Sequence, residues 1–337
     1  MNYLSRREFV GLSGIVLASA ALSAGSAAAS ESPLLVYFAS ASKEAASRWI
    51  GFLENGLKEQ GYTEGQNYRL VGRFAEFHVE RLPALAEEAV RLAPVIIVAG
   101  AVDTAVAAHR ATSTIPIVSG ALANAIDLGL AASYAHPGGN VTGITPYVDG
   151  LPAKQMEFAR ELIPGATEMG LIGTEMGLIG NVNDPKAVPQ RDELMAVAQK
   201  LGVTVLAPKV EAPGDLSGAI QSLKNAGVAV VIVLQTTMLL GQRKLLAQLF
   251  AETRLPAVYG YREHVDEGGL ASYGVDLSWC WRHIGSYVSK ILHGAKPAEL
   301  PIEFPPRLQM VINLRHARDL GLTISTTLLA RADEVIE

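Results

Sequence analysis

Cysteine is nearly absent from this 337-residue chain: Cys280 is the sole one. No intrachain disulfide can form, and no cysteine stands near the N-terminus for lipid attachment. Set between Trp279 and Trp281, Cys280 reads as a small buried apolar residue. Charge of one sign is also lacking. With 28 basic and 33 acidic residues the formal net charge is −5, which suggests neither a nucleic-acid binder nor a polybasic membrane binder. The seven histidines are scattered singly, with no H-E-x-x-H and no Cys/His cluster, so no metal site is expected. Glu263, His264 and Asp266 lie close in sequence and mimic a ligand set, but a solvated loop is the simpler reading. There is no G-x-x-x-x-G-K-[ST] phosphate loop, no G-x-S-x-G elbow and no G-x-G-x-x-G. No catalytic residue and no cofactor is therefore assigned, and any energy source must belong to a partner.

Long apolar runs are scarce as well. The run from Val10 to about Leu22 is short and rich in Gly and Ala, which argues against a membrane span. It follows Ser5-Arg6-Arg7-Glu8-Phe9 and precedes Ala27-Ala28-Ala29, the pattern of an export signal cleaved near Ala29/Ser30. The paired arginines resemble the twin-arginine class, and the general secretory route is the alternative. Removal of Arg6, Arg7 and Glu8 reduces the 28 basic and 33 acidic residues to 26 and 32, a net −6. The expected mature chain, residues 30–337, is soluble in the periplasm, and its length calls for two domains.

What is present is a repeated strand–helix alternation. The opening unit is residues 34–61: an apolar strand, then Ser40 and Ser42, then a helix with Ala46, Trp49, Ile50, Leu53 and Leu57 on one stripe and a stop at Gly61. Serines at a helix mouth suit an anionic or polar ligand group, and also simply cap the helix. A strand at 68–74, a helix at 80–92, strands at 95–99 and 115–119 with a helix from Asp103-Thr104 between them, and a short helix near 125–134 complete the first series. Pro137-Gly138-Gly139-Asn140, a strand at 141–145 and Pro146-Tyr147 mark a passage to a second series. That series has helices at 152–163, 187–201, 215–226 and 238–253, with strands at 168–182, 203–207, 228–234 and 256–259. Within it TEMGLIG occurs twice, at 167–173 and 174–180; seven being odd, the second copy reverses which face each side chain meets, so one copy should pair and the other loop out. A strand at 268–274, a helix at 278–292, an extended Pro-rich stretch at 297–306, a strand at 309–312 and two short helices close the chain.

The fold class expected is α/β, two Rossmann-like lobes with mostly parallel sheets covered by helices on both faces and joined by a multi-strand hinge. Residues 30–145 plus about 277–304 form lobe one, and 146–276 plus about 305–337 form lobe two. Ligands collect beyond the carboxyl ends of strands in such sheets. Those ends carry Ser40, Ser42, Asp103, Thr104, Ser119 and Asn124 in the first series, and Asn181, Asn183, Gln235, Thr236, Tyr259, Tyr261, Arg262 and Glu263 in the second. Asp103 also reads as a helix cap, Arg262 as half of a structural ion pair, and Tyr261 as packing.

The stretches LPALAEEAVRL (82–92), PGGNVTGI (137–144), PAVYGYRE (256–263), GGLASYGVD (268–276), ILHGAKPAELPIEFP (291–305) and VINLRHARDLGLTI (311–324) resemble the ABC-transporter substrate-binding proteins of the group with tryptophan- and tyrosine-binding members. The resemblance covers nearly the whole mature chain. It implies a type I periplasmic binding fold closing on a small molecule, delivery to a permease with its ATPase, and a monomer that meets the membrane only through that permease. It also implies a pocket lined by the loops 40–42, 100–104, 119–124, 181–183, 235–236 and 259–263. At 99–105 this chain reads AGAVDTA, where relatives commonly start with Gly-Thr or Gly-Pro, so Asp103 points to a different ligand preference. An amino acid or a carboxylate is the ligand expected. A ligand-sensing module for a membrane receptor, or a periplasmic enzyme on the same scaffold, are the rival readings.

Overall fold

The computed structural model describes residues 32–146, 148–164, 168–172 (backbone) and 187–337. The expected export signal, Tyr147, the second TEMGLIG copy, Asn181 and Asn183 lie outside the described residues.

The first series begins with β1 (Leu34–Ala39) and α1 (Lys43–Glu59), followed by β2 (Arg69–Phe74), α2 (Leu82–Arg91), β3 (Ile96–Ala99), α3 (Val102–Ala111), β4 (Ile117–Ser119) and β5 (Val141–Gly143). Its strands form one parallel sheet in the order β2-β1-β3-β4-β5. Because the sheet is covered on both faces, its central strands are apolar throughout. Leu35, Tyr37, Ile96 and Val98 point to one side, among residues of α1, and Val36, Phe38, Ile97 and Ala99 point to the other, among residues of α2 and α3.

The second series runs α4 (Leu151–Leu162), β6 (Glu168–Ile172), α5 (Ala187–Leu201), β7 (Thr204–Leu206), α6 (Leu216–Asn225), β8 (Val230–Val233), α7 (Thr237–Gly241), α8 (Arg243–Thr253), β9 (Ala257–Tyr259), α9 (Glu263–Asp266) and β10 (Ala271–Val275). The chain then makes α10 (Leu277–Leu292), β11 (Leu308–Asn313), α11 (Leu314–Leu320), α12 (Thr326–Arg331) and β12 (Glu334–Ile336). The second sheet is ordered β12-β11-β10-β9-β8-β6-β7, parallel except for the β10/β11 pair. Two mostly parallel sheets flanked by helices are therefore present. The first TEMGLIG copy supplies β6, paired to β7 and β8.

The chain passes between the sheets at three places. It leaves β5 through Ile144, which bridges to Glu303 on a returning segment; Thr145 N–H donates to Glu303 O at 2.9 Å and Glu303 N–H to Gly143 O at 3.0 Å. The other crossing follows β10, where Asp276 caps α10 by accepting from the Ser278 and Trp279 N–H groups. Helix α10 then packs in the apolar cluster of the first sheet, not the second.

Several elements differ from the sequence expectation. Residues 125–134 form turns, not a helix: Asn124 and Gly129 have φ of 51° and 69°, and the Leu130 and Ala131 N–H groups both donate to Ala125 O, which curls the chain. The helix expected over 238–253 is split at Gln242, with φ −95° and ψ 18°, into α7 and α8. Strand β12 was not anticipated. The segment 263–266 is a short helix in which Glu263 and His264 are buried, not a solvated loop. Cys280 is buried as expected, and burial pushes its thiol up, so it stays protonated.

Candidate functional site

In both sheets the first five strands of the series follow the order 2-1-3-4-5, with the order reversing between β1 and β3 and between β6 and β8. Connections leave in opposite directions at such a point and open a crevice beyond the strand ends. A cleft lies there, lined from the first sheet by Ser40 and Ala41 after β1 and by Gly100 and Ala101 after β3. From the second sheet come Thr236 and Thr237 after β8, Leu240 and Gly241 of α7, Arg243 and Tyr261. The empty space, counting the open solvent at its mouth, is about 660 Å³.

One wall is aromatic. Tyr37 and Trp281 have ring centroids 5.7 Å apart, and Trp49 lies 6.5 Å from Trp281. Tyr37 is in β1, Trp49 in α1 and Trp281 in α10, so the packing that joins α10 to the first sheet also builds this wall. Burial pushes the Tyr37 phenol up, which keeps it neutral. Against the wall sits an unusual hydroxyl. Ser40 is 5% exposed, and its Oγ has no hydrogen-bond partner among the described residues. A buried polar atom left unpaired costs free energy of about 1–3 kcal/mol, so one on a residue that lines a cleft is a candidate partner for a ligand atom. Arg243 brings the cleft its positive charge; its Nε is 3.2 Å from Glu267 Oε1.

A family model of ABC transporter substrate binding proteins matches residues 40–336. The chain belongs to that family. Members bind small-molecule ligands and work with an ABC permease; they are solute-binding proteins, not enzymes. This substrate-binding protein is 25% identical over 263 residues to the tyrosine-binding protein of Clostridioides difficile (strain R20291), covering 78% of this chain and 73% of that one. Its fold is also that of a conserved domain protein from Vibrio cholerae (TM-score 0.81, 24% identity, 90% of this chain and 100% of that one). An ABC domain from Streptococcus pneumonia, solved in complex with L-Trp, matches at TM-score 0.81 and 23% identity over 90% of this chain and 100% of that one. Further neighbours of lower identity are ABC transporter solute binding proteins, among them one from Bacillus halodurans with bound myo-inositol. These likenesses make the fold that of the type I periplasmic binding proteins.

Of the residues singled out from sequence, the substrate-binding protein brings Ser40, Thr236 and Tyr261 together at the cleft. Asn181 and Asn183 lie outside the described residues, and the other described candidates are not among the residues lining it. Ser42 caps α1, accepting from Ala45 N–H at 3.2 Å. Asp103 accepts from Thr104 N–H at 2.7 Å, and Thr104 Oγ1 donates to Ala101 O at 2.7 Å. Ser119 Oγ accepts from Ala121 N–H, and Asn124 occupies the left-handed turn noted above. Gln235 cross-links its neighbours: its Nε2 donates to Gly260 O, while Gln190 Oε1 accepts its backbone N–H. Tyr259 is core, stacked on His264 at 4.7 Å. Arg262 is indeed in an ion pair, with Glu334 at 2.9 Å and Asp266 at 3.2 Å. Glu263 is wholly buried, with both oxygens outside hydrogen-bond geometry and Arg48 Nη2 at 3.9 Å.

The aromatic wall was missed. In sequence Trp49 lies on a helix stripe, Trp281 stands beside Cys280 in a helix, and Tyr37 falls within an apolar strand. The available signal was weak: a Tyr two residues before the strand end, and two stripes each carrying a Trp.

Proposed function

We propose that this protein is the exported solute-binding component of an ABC importer and captures a small amino acid or carboxylate with a flat apolar body. The observation that carries this reading is the cleft itself, set at the strand-order reversals of both sheets and lined by Tyr37, Trp49, Trp281 and Ser40, whose buried hydroxyl is unpaired among the described residues. Such a site gives a ligand one apolar face to stack on and one polar anchor, and α1 opens toward the cleft with its N-terminal dipole, which favours a carboxylate. Aromatic amino acids are the first candidates, since one relative is a tyrosine-binding protein and a neighbouring structure holds L-Trp.

The two sheets with their helices are the lobes, residues 30–145 plus about 277–304 and 146–276 plus about 305–337, and the three passages between them are the hinge. A ligand touched from both sides favours the closed arrangement because only that arrangement makes both sets of contacts. The mature chain works in the periplasm, as a monomer, after cleavage near Ala29/Ser30, and hands its ligand to a permease and ATPase.

The test is a thermal-shift screen of protein starting at Ser30, unfolded and refolded to strip bound ligand, against amino acids, aromatic acids, sugars and nucleosides. A ligand at about 100 times its Kd adds roughly 2.7 kcal/mol, a visible shift. A saturable shift with amino or aromatic acids is expected; a shift confined to sugars or nucleosides would reject the ligand class. Ser40→Ala should weaken binding about fivefold while leaving the unliganded protein at least as stable as before, because its hydroxyl makes no bond to lose and its unpaired burial is relieved.

A further inference from the structure

The cleft edge beside Ser40 carries a feature that packing of the first sheet does not explain. Glu76 and Phe77 follow β2 with φ of 54° and 64°, two successive non-glycine residues in the left-handed region. That region is strained for any residue bearing a Cβ, so the surroundings must hold the turn in place. They do so through the cleft: Phe77 N–H donates to Ser40 O at 2.7 Å, Ala75 N–H to Ala39 O at 2.9 Å, and Glu76 Oε1 accepts from Lys43 N–H at 3.4 Å. The strained turn and the loop bearing the unpaired hydroxyl are one unit.

The turn presents a large apolar ring that belongs to none of the three apolar clusters. Phe77 is 43% exposed. Its ring reaches α7 on the second sheet, where a Cβ added to Gly241 would stand 3.1 Å from Cε1 and 3.3 Å from Cζ. Gly241 itself lines the cleft. The ring therefore rests on bare backbone at the place where the two sides of the cleft meet, and strain is spent to put it there.

We infer that Phe77 is the gate of the ligand cleft, a ring held by the Glu76-Phe77 turn that seats on Gly241 to block ligand exit and so sets how long the ligand is retained. This rests on the proposed solute-binding function. The role is in retention and not in contact, since Phe77 is not among the cleft-lining residues. Loss of the ring should act on the dissociation rate, and Gly241→Ala should act through the same contact by displacing the ring.

The experiment has two arms on full mature protein, comparing wild type, Phe77→Ala, Phe77→Tyr, Gly241→Ala and the Phe77→Ala/Gly241→Ala double variant. In the first, stopped-flow fluorescence with L-tryptophan, L-tyrosine and phenylacetate as probes measures association and dissociation. Phe77→Ala is expected to dissociate about tenfold faster with association changed less than about twofold, as interface changes usually act on dissociation. Phe77→Tyr should restore slow release, and the double variant should be no faster than Phe77→Ala alone. Unchanged release, or strictly additive effects of the two single variants, overturns the inference. In the second arm, without ligand, acrylamide quenching reads access to Trp49 and Trp281 in the cleft wall; Phe77→Ala should raise it, and an unchanged quenching constant also overturns the gate. Should none of the probes bind wild type, the ligand class proposed above is what fails, and the quenching arm still decides the gate.

Discussion

Glu263 and His264 are adjacent, both buried, and pull stability in opposite directions with pH. Burial pushes the Glu263 carboxyl up to about 7, partly opposed by the helix N–H and by Arg48, and burial pushes His264 down to about 4. A carboxyl whose folded value lies above its unfolded value of 4.5 contributes stability at low pH that is lost as pH rises through 7. A histidine held below its ordinary 6.5 acts the other way, losing stability as pH falls from 6.5 towards 4. The histidine still contributes a slope just above pH 6.5, but it does so equally in wild type and Glu263→Gln, so the difference between the two proteins belongs to Glu263. Wild-type stability should therefore fall by about 1 kcal/mol between pH 6.5 and 8 more than that of Glu263→Gln, read by urea denaturation. Parallel pH curves for the two proteins would refute it. From sequence, Glu263 was a candidate because it lies past a strand end, but its burial was invisible. Four residues too short for a periodic pattern gave no sign that they form a buried turn of helix.

At the scale of elements, α1 and α10 meet backbone to backbone in the apolar cluster of the first sheet. A Cβ on Gly285 would stand 2.3 Å from Gly56 C and 2.5 Å from Leu57 N, and one on Gly56 would stand 1.8 Å from Arg282 O. The backbones touch, and only glycine permits it. Because the opposing atoms are backbone and not a flexible side-chain tip, Gly285→Ala must push the helices apart and shift Trp281 in the cleft wall. A loss of roughly 2–3 kcal/mol is expected, with a lower urea midpoint. A midpoint equal to wild type would mean that the helices separate freely. The helices themselves were legible, since Ala46, Trp49, Leu53 and Leu57, and Trp281, Ile284, Tyr287 and Val288, repeat at helical spacing. Their partnership was not. A glycine inside a helix reads only as a weakened helix, and periodicity names the buried face without naming what covers it.

For the whole molecule, strand alternation made the α/β class and its two sheets readable, because fully buried parallel strands are apolar runs bounded by turns. The last strand, β12, escaped notice because its residues Glu334–Ile336 are half-buried at a sheet edge and carry little apolar signal. Sequence was equally silent on what crosses the cleft. Arg48 of α1 does so: its Nη2 lies 3.0 Å from Asp266 Oδ2 and 3.9 Å from Glu263 Oε1 of α9, and its guanidinium covers the Trp49 and Phe52 rings at 5.8 and 5.6 Å. With a side chain 36% exposed, the pair adds under about 1 kcal/mol to global stability, since solvent screens it. In the proposed closing of two lobes, a balance of a few kcal/mol, its leverage is greater because this charge pair joins α1 to α9. Arg48→Ala should leave the urea midpoint nearly unchanged, yet enlarge the radius of gyration of the ligand-free protein in X-ray scattering. High salt, which shortens the reach of exposed charges, should enlarge wild type in the same way and the variant hardly at all. If the variant and wild type scatter alike at both salt concentrations, the Arg48 contact is an ornament of the closed form and the apolar seat of Phe77 on Gly241 must account for the approach of the two sides.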